Sequence, residues 1–560
     1  MRLIFLLQMP CFKTPKTLLD LSSKAFSELI FATTTTVSSI DNEINTDVNK
    51  YLCTLPSTVL YEVMANCHEK YVQICQTSTP LGDFAFNIIQ NGLYDISETQ
   101  DNTSENLPSL KTLYETIITP SVTRLDFTNL INLGTLTPLA FEYFHQILDE
   151  ILVKVPYLRS LNIKCQHSRT CLPSFASRHL RLIGENCPHL QFLDISFHNN
   201  LRNEDLSYLL PAQDKKGIQP FHRGCVELET IYVFDCGFSY RTIKQFVLQL
   251  KNLKNIGYKE MGKVLKRLYS DGNRDILNFT HINNMGSKVR KNTIPSLRCK
   301  RNMIDAIAQI CPKVTHMKVR IQDTDVEYLT SLKHLQSVEF VYNCGRALTP
   351  ALGFAAFIQD RGTYLTSVAL ICATISMTHI NLLGKHCPHL ESMWLRSNYF
   401  QVSKGCRESL PEDMPMNHCY FQNLKILFFR VGDSELALSF VPPYVFRYIV
   451  RNAKGLKELI VALRANVIKD EYIRGLFVEN QLIHLEKIQF CVPGLNNLSG
   501  VLSLTMKSVF FILDFCRNLK TLGNLLSWNV KNDPQFIALR ERLEFENYDL
   551  NIICRTTNFH

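Results

Sequence analysis

The sequence predicts an α/β solenoid, with a parallel sheet on the concave face, helices outside and a helical cap at the N-terminal end. Three observations carry that expectation. A short apolar register, L-x-x-L-x-L, recurs along most of the chain; in five places a cysteine stands three residues ahead of an aliphatic; and helical spacing follows the register. A chain of 560 residues would otherwise suggest several compact domains, but a stacked repeat extends its core along one axis. With 46% apolar and 20% charged residues the composition is globular, which excludes a disordered tail or a fibre.

The cysteines lie in Cys187-Pro-His-Leu190, Cys225-Val-Glu-Leu228, Cys311-Pro-Lys-Val314, Cys387-Pro-His-Leu390 and Cys516-Arg-Asn-Leu519. The register follows as Leu190, Leu193, Ile195 and as Leu390, Met393, Leu395. Without the cysteine it appears as Leu158, Leu161, Ile163 and as Leu424, Leu427, Phe429. Alternation at the last two positions is a strand signal, and residues 204–210 and 241–250 show the helical spacing that comes next. One such unit cannot bury its apolar face alone, so about a dozen must stack.

Strand and helix alternating at this period resemble the cysteine-containing leucine-rich repeats of F-box receptors, over roughly residues 120–530. The resemblance implies a backbone-bonding asparagine at the turn after the strand, as at Asn343 and Asn398, with Cys236 in that place in its own unit. A thiol at each helix end packs as a small hydrophobe. A metal site would need ligands that converge, and no C-x-x-C pair is present, so neither metal nor cofactor is expected. Reduced thiols point to the cytoplasm, the nucleus or both.

No membrane segment is expected. Residues 2–7 hold five apolar side chains, short of the roughly 7 to 15 of a signal peptide, and the run 501–515 is broken by Lys507. The expected organisation is a helical region over 1–105, the solenoid over 106–545 with an insertion at 257–303, and a tail over 546–560.

The insertion carries the charge. From Lys259 to Arg301 there are eleven Lys or Arg against three acids, +8 of a total of +9. A short helix from about Lys259 to Tyr269 and then a loop are expected there. The segment suits an acidic partner or a nuclear localisation signal at 288–301, or is simply solvated. Nucleic acid is disfavoured, because within the segment Tyr269 and Phe279 are the aromatics and do not interleave with the basic residues.

Before the repeats, residues 17–30 have helical spacing with Thr17 as N-cap, and a second amphipathic helix opens at Leu55-Pro56. Leu55-Pro56 resembles the start of an F-box, which docks to the Skp adaptor of a cullin-RING ubiquitin ligase. Thr17, Leu18 and Ser22 are similar to the elongin-binding box of the VHL and SOCS type, with Leu55, Pro56, Val59 and Val63 similar to its downstream cullin box. Either resemblance implies a Skp- or elongin-type adaptor and a cullin as partners, and a substrate receptor as the role. The same helices also suit a cap over the first repeat.

In L-x-x-L-x-L the fifth and seventh residues face away from the core. The fifth position gives Tyr232 and then Ala369, Trp394, Phe428 and Ile460; the seventh gives Ile371, Arg396, Arg430 and Ala462. Neighbouring strands lie about 4.8 Å apart, so Trp394 should meet Phe428 with Arg396 and Arg430 alongside. Exposed Trp, Phe and Arg in one cluster suit a protein substrate on the concave face. The bland alternative is a tail or the segment 403–417 folding over them. No G-x-G-x-x-G, G-x-x-x-x-G-K-S/T, H-E-x-x-H or G-x-S-x-G motif is present, so an enzyme is not expected.

Overall fold

A computed structural model describes residue 63 and residues 118–553, apart from 129–137, 166–176, 212–223, 273–276, 284–300, 343–351, 402–419, 433–440, 464–467, 492–501 and scattered positions after 441. The described residues fall into two compact units that divide between 294 and 295.

The first unit alternates strand and helix: β1 (Arg124–Asp126), α1 (Pro138–Lys154), β2 (Ser160–Asn162), α2 (Ser177–Asn186), β3 (Phe192–Asp194), a 3-10 turn (Asn203–Leu209), β4 (Thr230–Tyr232), α3 (Tyr240–Gln249), β5 (Asn255–Gly257), α4 (Met261–Ser270) and β6 (His281–Asn283). Each strand pairs in parallel with the next, and the repeated apolar position stays in register through Leu125, Leu161, Leu193, Ile231, Ile256 and Ile282. All six are at most 2% exposed.

The second unit runs α5 (Arg301–Ile310), β7 (His316–Arg320), α6 (Asp323–Val326), β8 (Ser337–Val341), α7 (Leu352–Arg361), β9 (Ser367–Ser376), α8 (Met377–His386), β10 (Ser392–Gln401), β11 (Ile426–Val431), α9 (Pro443–Val450), β12 (Glu458–Ala462), α10 (Asp470–Asn480), β13 (Lys487–Cys491), α11 (Met506–Phe515), β14 (Thr521–Gly523), α12 (Pro534–Phe545) and β15 (Asn551–Ile553). Its strands are likewise parallel and pair in chain order. Strand side chains on the core face meet the helices: Phe340 of β8 lies 5.6 Å from Phe354 of α7, and Phe429 of β11 lies 4.8 Å from Phe446 of α9. This is the leucine-rich-repeat architecture.

Two boundaries differ from the sequence expectation. The segment 257–303 is not wholly an insertion: β5, α4 and β6 continue the alternation, because Ile256, Val264, Leu265 and Ile282 keep the buried positions filled. Its charges are partly consumed locally, Lys259 by Asp235 at 3.3 Å and Arg267 by Asp271 at 3.0 Å. Residues 551–553, assigned to a tail, form β15 and pair with β14, whose edge would otherwise stay open.

The recurrent cysteines close the helix ends. Cys187 points its thiol at the carbonyls of Leu152 and Val155, at 3.9 and 3.8 Å. Cys225 repeats the contact one unit later on Cys187 O at 3.6 Å, and Cys516 on Leu482 O at 3.4 Å. The last carbonyls of a helix lack intrahelical partners, and a weak donor from the next repeat reaches them. Burial pushes the Cys187, Cys387 and Cys516 thiols up to about 12. Cys236, in the place expected for asparagine, donates to Ile195 O at 3.1 Å.

Helix starts are tied across repeats too. Asp323 accepts from the backbone N–H of Gly353 and Phe354 at the start of α7, at 2.9 and 3.0 Å. A Cβ on Gly353 would fall 1.8 Å from Asp323 O, so the close approach requires glycine. Asp470 does the same for α11, accepting from Thr505 N at 2.9 Å and from the hydroxyls of Thr505 and Ser508 at 2.6 Å.

Candidate partner-binding face

Side chains alternate along a strand, so the face opposite the buried leucines carries the fifth and seventh register positions. In the second unit the parallel register sets Trp394 beside Ala369 and Phe428, and Arg396 beside Ile371 and Arg430. Phe428 in turn lies beside Ile460, and Arg430 beside Ala462.

Trp394 is 42% exposed and lies on Phe428, ring centroids 4.7 Å apart and planes 18° from parallel. Its indole N–H donates to the hydroxyl of Ser392, two residues back on the same face, at 2.9 Å. One hydrogen bond and one stacked ring hold the indole in place while much of its surface faces solvent.

The expectation of an exposed Phe428 is corrected. Phe428 is 5% exposed, Ile460 3% and Ala462 1%. The stacked indole covers the phenyl ring on one side, so the patch presents Trp394 over a buried floor of Phe428 and Ile460. Arg396 and Arg430, half-buried, share one row on adjacent strands. That row continues to Ala462 and Cys491. Burial pushes the Cys491 thiol up to about 12, with the charge of Arg430 acting against it.

Tyr232 belongs to the first unit. Its ring meets Phe192 edge-on at 5.8 Å and stacks with Phe234 at 6.0 Å. Asn255 donates to its hydroxyl at 2.8 Å, and burial pushes the phenol up despite that bond. Gly257, at the Tyr232 register position of the next strand, makes room: a Cβ there would lie 2.2 Å from Tyr232 Cδ1 and 2.6 Å from Phe234 Cε2. Spacing within one repeat carries no sign of this ring-over-glycine fit, since it depends on a neighbour 25 residues away in the chain.

Of the adaptor residues, Val63 is helical and buried, at 1% exposure. Leu18, Ser22, Leu55, Pro56 and Val59 lie outside the described residues. Among the described residues no group of three or more His, Cys, Asp or Glu is placed to hold a metal ion, and no helix is long and apolar enough to cross a membrane.

No protein-family model and no curated protein matches the chain. Solved structures similar to it include the leucine-rich-repeat-containing protein LegL7 from Legionella pneumophila, 15% identical, covering 52% of this chain and 87% of that one with a TM-score of 0.32. A chain from the yeast Rad7 and Elc1 complex is 12% identical, covering 76% of this chain and 91% of its own with a TM-score of 0.38. A leucine-rich-repeat protein of Leptospira interrogans is 12% identical, covering 73% and 97% with a TM-score of 0.25. The chain has a leucine-rich-repeat fold. Its parallel strands, buried register and helices on the core side establish that architecture.

Proposed function

We propose that this scaffold is a protein-interaction receptor, and in particular the substrate-recognition subunit of a cullin-RING ubiquitin ligase. On this reading residues 1–105 take a Skp- or elongin-type adaptor and the cullin, and the concave face of the sheet around Trp394 takes a protein substrate. The supporting observation is Trp394, a large aromatic held rigid yet 42% exposed, with Arg396 and Arg430 in the adjoining row. Rigid aromatics beside arginine are the residues that dominate binding energy at interfaces. The buried free thiols suit a reducing compartment, cytoplasm or nucleus.

A non-ligase scaffold is the second reading. Burial of Val63 favours it, because a helix capping the first repeat would bury that side chain. Affinity capture from cells with the full chain and with a chain lacking residues 1–70 separates the two. A receptor brings down Skp or elongin together with cullin and loses them on truncation. If the full chain captures neither adaptor nor cullin, the ligase reading fails and the scaffold stands.

A further inference from the structure

Three imidazoles converge inside the first unit, apart from the face described above. His145 on α1 is 4% exposed, His179 on α2 is fully buried and His198, in the turn after β3, is 3% exposed. The rings of His145 and His179 lie 4.8 Å apart. His179 Nε2 is 3.2 Å from Asp149 Oδ1 on α1, and the other oxygen of Asp149 is 3.0 Å from Arg178 Nε on α2. His198 Nε2 is 2.8 Å from the carbonyl of Ile163, just after β2. A carbonyl only accepts, so the ring keeps a proton on Nε2 and gains the next on Nδ1.

Asp149 is already shared with Arg178. Asp205, in the 3-10 turn, takes the hydroxyl of Ser177 at 2.5 Å and the N–H of Arg202 at 2.7 Å. Asp194 on β3 accepts from Ser196 N, and burial pushes its carboxyl up. The thiols of Cys187 and Cys236 are neutral, burial pushing both up to about 12. Burial of all three rings, together with the 4.8 Å separation of His145 and His179, favours neutral imidazole over imidazolium.

We propose that His145, His179 and His198 form an acid-sensitive latch: neutral, they let α1, α2 and the turn after β3 pack on one another, and their protonation loosens this part of the first unit. Burial pushes His198 down to about 4; the bond to Ile163 acts the other way, and neighbouring His145 adds to the lowering. A histidine whose folded value lies below its unfolded value binds protons more tightly when released. Its contribution is therefore intact above about pH 6.5 and is lost as the pH falls toward 4. For His198 alone the opening equilibrium rises roughly 30-fold by pH 5 and about 300-fold at the acid limit.

Hydrogen–deuterium exchange on the full chain, corrected for intrinsic rates, tests this in peptides from 145–154 and 177–186. Protection should be constant from pH 8 to 7 and fall at least tenfold between pH 7 and 5. In His198→Gln, which retains a donor for Ile163 O, the fall should shrink by a factor of ten or more. Wild-type protection at pH 5 within threefold of its pH 7.5 value overturns the latch, and this readout does not depend on any variant folding. An undiminished fall in a folded His198→Gln, His145→Gln double variant overturns it as well.

Discussion

Trp394 and Phe428 occupy one register pair on adjacent parallel strands, stacked at 4.7 Å, yet the first is 42% exposed and the second 5%. Two aromatics at equivalent positions thus differ in exposure, one facing solvent and one forming a buried floor. Trp394→Ala should leave stability within about 1 kcal/mol and reduce capture of a substrate. Phe428→Ala should destabilise the second unit by about 3 kcal/mol, because it opens a buried cavity. Urea unfolding followed alongside partner capture reads both; equal stability losses in the two variants would contradict the assignment.

The fit of Tyr232 over Gly257 gives a coupled prediction. Gly257→Ala forces a methyl against the ring and should cost about 2 kcal/mol. Tyr232→Ala removes the nearer of the two obstructing rings and leaves Phe234, so adding it to Gly257→Ala should recover part of the loss. A double-mutant cycle measures the coupling, which should reach at least about 1 kcal/mol.

The thiols at the helix ends should be inert. With burial holding Cys187, Cys387 and Cys516 up at about 12, almost no thiolate exists at pH 8. Cys165, half-buried, should be alkylated first among the described cysteines. Site-resolved mass spectrometry after brief iodoacetamide treatment checks the order, and Cys387→Ser should cost about 2 kcal/mol for burying a stronger polar group.

Asp470 gives a prediction of the same sign as His198 but in a more acidic window. Burial works against its carboxylate, but hydrogen bonds from Ser508 and Thr505 outweigh it and hold the group below the usual range. Its contribution is therefore present above about pH 4 and is lost as the pH falls below that. Asp470→Asn should cost about 2 kcal/mol at pH 7, read as a shift of the urea midpoint, and the gap to wild type should narrow below pH 4.

By itself the sequence determined the repeat, its strand–helix order and the buried thiols. A unit that must bury its face against the next needs the same residue types at the same spacing, and that demand is written locally in Leu190, Leu193 and Ile195 and in Cys187 ahead of them. Register also followed, since parallel pairing of equal units sets Trp394 opposite Phe428. Tertiary structure decided the rest: which of those two rings meets solvent, that 255–283 is repeat as well as basic segment, that Asp470 caps a helix beginning 36 residues on, and that three scattered histidines are buried near one another. Each depends on side chains from another turn of the fold, where period and spacing within one unit carry no information.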